Sequence, residues 1–296
     1  MNPRFPVYVV SHKRSKMGPP TVKTLDQLGV PHTVIVEPSD LQEYAGVIPE
    51  SELRVVPESF HESYEDCDDL GRTKSQGPGP ARNYAWEDSI KRGFEWHWVM
   101  DDNITQFHRN HNNRRYRVTD GTCFRAMEDF VLRYANVGMA GPNYSMFMYL
   151  TDHGLPPFTI NTRIYSCNLI KNDLPYRWRG RYNEDTDLSL RILKSGLCTI
   201  QFNAFAQLKV PTQTYKGGNT DEFYSKEGTL PKSLMQVRLH PDVSRLVFKF
   251  SRWHHQIDYS RFKRNRLVLR KDAVIPKGVN DYGMTIREKT RRSGVS

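Results

Sequence analysis

The sequence predicts an α/β protein built on a parallel sheet, and three observations carry that expectation. Val7-Tyr8-Val9-Val10, then Thr21 to Leu28, then His32 to Glu37 read as strand, helix and strand. Such a βαβ unit gives parallel strands joined by a right-handed crossover. Phe94 to Ile104 is an apolar, aromatic-rich run that stops at Asp101-Asp102-Asn103, and open α/β sheets bind ligands at the carboxyl ends of their strands. The chain has 296 residues, 38% of them hydrophobic, enough to bury a full core as one large domain or two abutting halves.

The elements follow in order. Val7–Val10 is a short buried-type strand that ends at Ser11-His12-Lys13-Arg14 and a Gly18-Pro19-Pro20 loop. Thr21 to Leu28 has helical spacing and a stop at Gly29. His32–Glu37 and Leu53–Pro57 read as strands, and the acidic stretch Glu58 to Asp69 as a surface loop. Gly71 to Pro80 is rich in glycine and proline, and the helix that follows, Ala81 to Gly93, leads into the Asp-Asp-Asn strand. Free N–H groups at that helix start, with Arg82 in the first turn, suit a diphosphate.

Beyond Asn103, Phe107 to Arg117 is too polar for a core element and reads as a basic loop, with His108 and His111 as solvated side chains rather than ligands. Cys123 to Tyr134 has helical spacing, Gly138 to Pro142 begins a strand and turn, and Thr162 to Ile170 alternates as a strand. Asn183 is placed to cap a helix whose first turn holds Glu184, Asp185 and Asp187 and which ends at Lys194 before Gly196. Helix electrostatics already favours acids there, and Asp187 is spaced to pair with Arg191. Three carboxylates nevertheless exceed what a cap needs. Trp178, Arg179 and Arg181 beside them suit an anionic acceptor. Leu197 to Val210 resumes strand pattern, and Lys216-Gly217-Gly218-Asn219 is a turn able to close over a phosphate.

Two adjacent acids repel unless a cation neutralises them, and an oxygen-only donor set suits Mg²⁺ or Mn²⁺ rather than zinc. Asp and Asn after a strand equally suit a simple polar turn. The four cysteines are widely separated and form no C-x-x-C pair, so neither a zinc site nor a disulfide framework is expected. No apolar run approaches the roughly 20 residues of a membrane span. Met1-Asn2-Pro3-Arg4-Phe5 lacks a signal-peptide pattern, so a cytoplasmic location without a membrane partner is expected.

Charge divides the chain. Residues 1–230 carry 27 Lys and Arg against 28 Asp and Glu, whereas residues 231–296 carry 16 against 5. The basic, aromatic segment 231–284, with Arg252 and Arg264 among its cations, suits a nucleic-acid backbone with exposed bases. It equally suits a helix packed on the sheet with its cations solvated. Residues 285–296 read as a disordered tail.

With these motifs collected, the order Ser11-x-x-Arg14, Gly77-x-Gly79-x-Ala81-Arg82-Asn83, Asp101-Asp102-Asn103 and Asn183-Glu184-Asp185 resembles GT-A nucleotide-sugar glycosyltransferases. More narrowly, Tyr182 to Arg191 and Lys216 to Asn219 resemble the TET-associated glycosyltransferases of bacteriophages. The resemblance implies a Rossmann-like GT-A domain over 1–230, with a donor half to about residue 103 and an acceptor half to 230, and a basic C-terminal extension. It implies a UDP-sugar or related donor, Mn²⁺ or Mg²⁺, and double-stranded phage DNA carrying 5-hydroxymethylcytosine or a similar pyrimidine. On that pattern Asp101, Arg14 and Arg82 face the donor, Asp102 holds the metal with Asn103 beside it, and Asp185 with Glu184 activates the acceptor. Trp178, Arg179, Arg181, Asp187, Arg252 and Arg264 are the candidate acceptor and DNA contacts. A polysaccharide or protein acceptor, and a non-catalytic nucleic-acid-binding role for the same scaffold, are the competing readings.

Overall fold

The computed structural model describes residues 1–68, 75–111, 114–148, 155–210 and 228–275. Strands β1 (Val7–Ser11), β2 (Thr33–Val36), β3 (Leu53–Val55) and β4 (Trp96–Asp101) lie parallel in the order β3-β2-β1-β4. Helices α1 (Pro20–Gln27), α2 (Leu41–Ala45), α3 (Glu58–Glu62) and α4 (Gly79–Lys91) connect them. Downstream come β5 (Ile104–His111), β6 (Arg114–Arg117), α5 (Thr122–Val131), β7 (Val137–Tyr144), β8 (Phe158–Ile160) and β9 (Cys167–Lys171). α6 (Glu184–Lys194) and β10 (Cys198–Lys209) follow. β9 runs antiparallel between β4 and β7, β7 and β10 are parallel, and β5 and β8 flank β10 antiparallel. The expected α/β architecture, a central sheet flanked by helices, is present.

Strand alternation assigns the faces. Val7, Val9, Trp98 and Met100 pack with Leu25 of α1 and Phe124 and Met127 of α5. Tyr8, Val10 and Val99 face the other way, against Ala85 and Trp86 of α4 and Leu188 and Ile192 of α6. Asp101 continues the Val99 row and so points toward α4 and α6, while its neighbour Asp102 turns to the end of β1.

Several elements differ from expectation. Glu58–Glu62 is a helical turn, not loop, because Pro57 and an acidic first turn initiate it. Phe107 to Arg117 is not a loop but the β5–β6 hairpin. Its polarity reflects its position, since β6 is the sheet's edge, fully exposed, and charged edges resist further pairing. β9 begins only at Cys167 because Ser166 has φ +66°. Asn183 does not cap α6 through its side chain; it adopts a left-handed conformation and its amide donates to the Lys232 carbonyl at 2.8 Å.

The described part of the basic extension, to residue 275, is docked. α7 (Leu230–Leu239) precedes a hairpin of β11 (Ser244–Lys249) and β12 (Arg252–Ile257). Val243 and Phe262 form a small core with Leu190 and Leu193 of α6, and Asn265 Nδ2 donates to the carbonyls of Leu193 and Leu197 at 2.7 and 2.9 Å. Lys216 to Asn219 and residues 285–296 lie outside the described residues. Among the described residues no helix is long and apolar enough to cross a membrane.

The start of α4, which aims Arg82, depends on a missing side chain. A Cβ on Gly79 would stand 1.8 Å from the Tyr64 hydroxyl oxygen, and that buried hydroxyl donates to the Gly180 carbonyl at 2.9 Å. Gly79→Ala is expected to cost about 1–3 kcal/mol, the usual range for overpacking, read as a lowered urea midpoint. Gly46→Ala, where a Cβ meets its nearest neighbour at 3.7 Å, is the control and should leave the midpoint nearly unchanged.

Candidate active site

Four strand ends and two helix starts meet at one rim. β4 delivers Asp101, Asp102 and Asn103; β1 delivers Ser11, with Arg14 just beyond it; β9 begins beside them after Ser166; β10 ends in Lys209. The first turns of α4 and α6 bring Arg82 and the pair Glu184-Asp185.

Arg82 joins the two acidic motifs. Its side chain is 2% exposed; Nη2 lies 2.6 Å from Asp101 Oδ1, and Nη1 lies 2.6 Å from Asp185 Oδ1 and 3.2 Å from Glu184 Oε1. Asp101 and the Glu184-Asp185 pair, far apart in the chain, thus share one guanidinium. Asp185 also accepts from Asn168 Nδ2 at 3.3 Å and the Ser166 N–H at 3.4 Å. Lys209 Nζ lies 3.6 Å from Asp101 Oδ2 and donates to Ser166 Oγ at 2.7 Å.

Environment separates the carboxylates. Burial pushes Asp101 up, but the Arg82 and Lys209 charges outweigh it and leave the group below its ordinary value. Burial raises Asp185, against the pull of Arg82. Glu184 rises to about 7 through burial, with Arg82 opposing and Asp185 reinforcing the shift. A carboxylate that ionises near neutral pH matches the proton-accepting strength a general base needs.

Asp102 faces a different set. Its Oδ2 accepts from Ser11 Oγ at 2.6 Å, and Ser11 Oγ is itself 2.6 Å from the Tyr44 hydroxyl. Its Oδ1 pairs with Arg14 Nη1. Burial still raises Asp102, with Arg14 opposing. As a test of fit for a hard cation, Asn103 Oδ1 is buried without a hydrogen-bond partner. Asp102 and Asn103 therefore supply the oxygen chemistry of an Mg²⁺ or Mn²⁺ site, where Arg14 is the present counter-charge.

The proposed acceptor contacts divide. Trp178 is 1% exposed and lies under the Arg82 guanidinium, 4.6 Å from its ring centre, so it offers no face to a base. Arg181 is also buried, bonded to Asp68 at 3.0 Å and to the Ser75 carbonyl at 2.7 Å. Asp187 is fully buried among Arg179, Arg191 and His240 Nε2, the last at 2.9 Å. Burial opposes its ionisation, but those partners prevail and lower it. Trp178 packs against Leu188 and Ile192 of α6, Asp187 is an anchor of α6 itself, and Arg181 ties the segment around Asp68 and Ser75; all three face the interior, a correction to their reading as acceptor contacts. Arg179 is partly exposed but engaged by Asp187 and Glu65. Arg252 and Arg264 are exposed on the extension, outside the acid cluster.

Sequence reasoning missed Lys209, Ser166 and Asn168. Lys209 ends a twelve-residue strand, a position that carries no signal without knowing which strands are neighbours. The β9 residues reach the rim only because β9 inserts antiparallel beside β4.

No curated protein matches the chain. A family model described as TET-Associated Glycosyltransferase matches residues 5–218, the span that supplies every acid and cation of the rim cluster, and the chain belongs to that glycosyltransferase family.

Proposed function

We propose that the protein moves a sugar from a nucleotide-sugar donor, of the UDP-sugar type, to the hydroxyl of a hydroxymethylated pyrimidine in double-stranded DNA. The observation that carries this reading is the Arg82 bridge, which holds the acid of the donor strand and the acid of the acceptor helix in one cluster. On this reading Arg14 would face the donor's diphosphate and Asp101 its ribose or base, while Arg82, buried against three carboxylates, would order the acids rather than contact phosphate. Asp102, with Asn103, would hold Mn²⁺ or Mg²⁺, which when bound offsets charge on a departing diphosphate.

Transfer requires the acceptor oxygen to bond the anomeric carbon as the bond from that carbon to the diphosphate oxygen breaks. Asp185 takes the hydroxyl proton, with Glu184 beside it as a second acid of raised proton affinity. Arg82 keeps the Asp185 carboxylate oriented.

Support for a DNA acceptor comes from the extension. The β11–β12 hairpin turns at Phe250 and Ser251, both with positive φ, the type I′ geometry that ordinarily selects Asn or Gly. Phe248, Phe250 and Trp253 are 59%, 85% and 38% exposed, and Lys249 and Arg252 are exposed between them. Rings interleaved with cations suit bases and phosphates. This hairpin is tied to the acid cluster: Ser233 Oγ on α7 donates to the Trp253 carbonyl at 3.3 Å, and Asn183, next to Glu184, donates to Lys232. A base must leave the stack for its hydroxymethyl group to reach a buried acid. The hairpin's exposed rings, and not Trp178, are the groups available to occupy the gap.

Asp185→Asn is expected to lower kcat about 10²- to 10⁴-fold, the usual weight of a general base, in an assay that digests treated DNA to nucleosides and weighs them. Full activity in that variant removes Asp185 from the chemistry. A base works deprotonated, and burial raises the proton affinity of Asp185, so activity should fall on acidification at a pH above the ordinary carboxylate range; Glu184→Gln, which removes a neighbouring negative charge, should move that limb to lower pH. Chelation should abolish transfer and Mn²⁺ restore it, with Asp102→Asn remaining inactive although folded. Combined Arg252→Ala, Phe250→Ala and Trp253→Ala should weaken binding to duplex DNA and flatten its salt dependence. Unchanged binding, with transfer to a polysaccharide instead, would favour the other acceptor class.

A further inference from the structure

A second polar cluster lies at the opposite edge of the sheet. His32 immediately precedes β2, and its side chain is 2% exposed. Its Nδ1 is 3.0 Å from the Val30 carbonyl. A carbonyl only accepts, so Nδ1–H donates to it, and in that tautomer Nε2 offers the lone pair. That nitrogen is buried and has no hydrogen-bond partner. Asp26 Oδ1, at 3.9 Å, is beyond hydrogen-bonding range. Glu52 completes the group: one ligand atom from each of Asp26, His32 and Glu52 lies within 4.8 Å of the others.

The 3.9 Å between Nε2 and the Asp26 carboxylate leaves a gap between them. A histidine whose Nδ1–H is anchored on a backbone carbonyl while Nε2 points at two carboxylates has the orientation that metal-ligating histidines take. Tetrahedral bonds of 2.0–2.2 Å place ligand atoms about 3.4 Å apart. The exposed Asp26 and the half-buried Glu52 have room to close that distance.

We propose that Asp26, His32 and Glu52 form a divalent transition-metal site with zinc as the best-fitting ion and water at the fourth position. One nitrogen and two carboxylates suit Zn²⁺ and disfavour Mg²⁺, which prefers oxygen. The ion would tie the last turn of α1 to the entries of β2 and β3. At its other end α1 holds the catalytic strand: the Thr21 N–H donates to the Asp102 carbonyl at 3.1 Å, and Thr21 Oγ1 to the Asp101 carbonyl at 2.6 Å. An eight-residue helix is about 12 Å long, so the metal would brace the donor half from outside the chemistry. It is a structural site, independent of which sugar or acceptor is used.

The test uses full-length protein stripped with chelator, in the wild type and in an Asp102→Asn background that removes the rim's proposed ligand. Equilibrium dialysis against Zn²⁺ should give one bound ion per chain in both, with a raised thermal midpoint. Co²⁺ in place of Zn²⁺ should give the visible bands of a four-coordinate ion. His32→Gln and, separately, the less buried Glu52→Gln should each lower Zn²⁺ affinity by at least about 10-fold, the loss that even an outer-shell partner's removal causes. The thermal shift should vanish with the binding. Zn²⁺ binding that persists undiminished in Glu52→Gln and His32→Gln, or no stoichiometric binding in the Asp102→Asn protein, overturns the assignment.

Discussion

The buried guanidinium of Arg82 is the constraint on which the site depends. A charge so withdrawn from water is tolerated only when paired and hydrogen-bonded, and removing one member of such a group commonly costs about 3–5 kcal/mol. Arg82 meets that demand with three carboxylates from two distant parts of the chain, and the Trp178 ring covers the guanidinium face. Its planar fork reaches β4 and α6 at once, which the compact ammonium of a lysine cannot do. Fold and site are therefore linked through one side chain: any shift of α4 relative to α6 separates the acids that Arg82 brings together.

The sheet places those acids by alternation and by one reversal of direction. Parallel strands β1 and β4 end together, so Ser11, Arg14 and Asp102 meet at adjacent strand ends. Successive side chains face opposite sides, and Asp101 is consequently left for Arg82 and Lys209. The antiparallel β9 starts where β4 stops, bringing the Ser166 N–H and the Asn168 amide to Asp185. An all-parallel order would have put the start of that strand at the far edge, and Asp185 would lack these donors.

Much of this was legible in the sequence because it is local. A strand that ends in adjacent acids, a glycine-rich helix start followed by arginine, and a helix opening on three carboxylates announce themselves over a few residues. Burial is not local. Trp178, Arg181 and Asp187 look like an exposed acceptor patch in the sequence, yet they are interior: Arg82 covers the Trp178 ring, Asp68 reaches Arg181 from a distant loop, and His240 from the extension joins Arg191 around Asp187. The same limit hid Lys209, whose role arises from strand order, and the β5–β6 hairpin, whose polarity follows from its place at an edge. His32 carried no pattern at all; only its orphaned nitrogen distinguishes it.

The charge balance of the rim argues for what must join it. Asp101, Asp102, Asp185 and Glu184 are faced by Arg14, Arg82 and Lys209, and with Glu184 protonated, as its pKa of about 7 allows, the acids and cations cancel. A nucleotide diphosphate brings further negative charge into this water-poor setting, where uncompensated charge is expensive. Arg14 could turn toward phosphate only by leaving Asp102, whose charge would then need another partner. On the proposed function, Asp102 and Asn103 would hold a divalent ion that supplies this positive charge, which would leave Arg14 available to the donor. The Arg14–Asp102 pair would then be the contact that gives way when a sugar nucleotide binds.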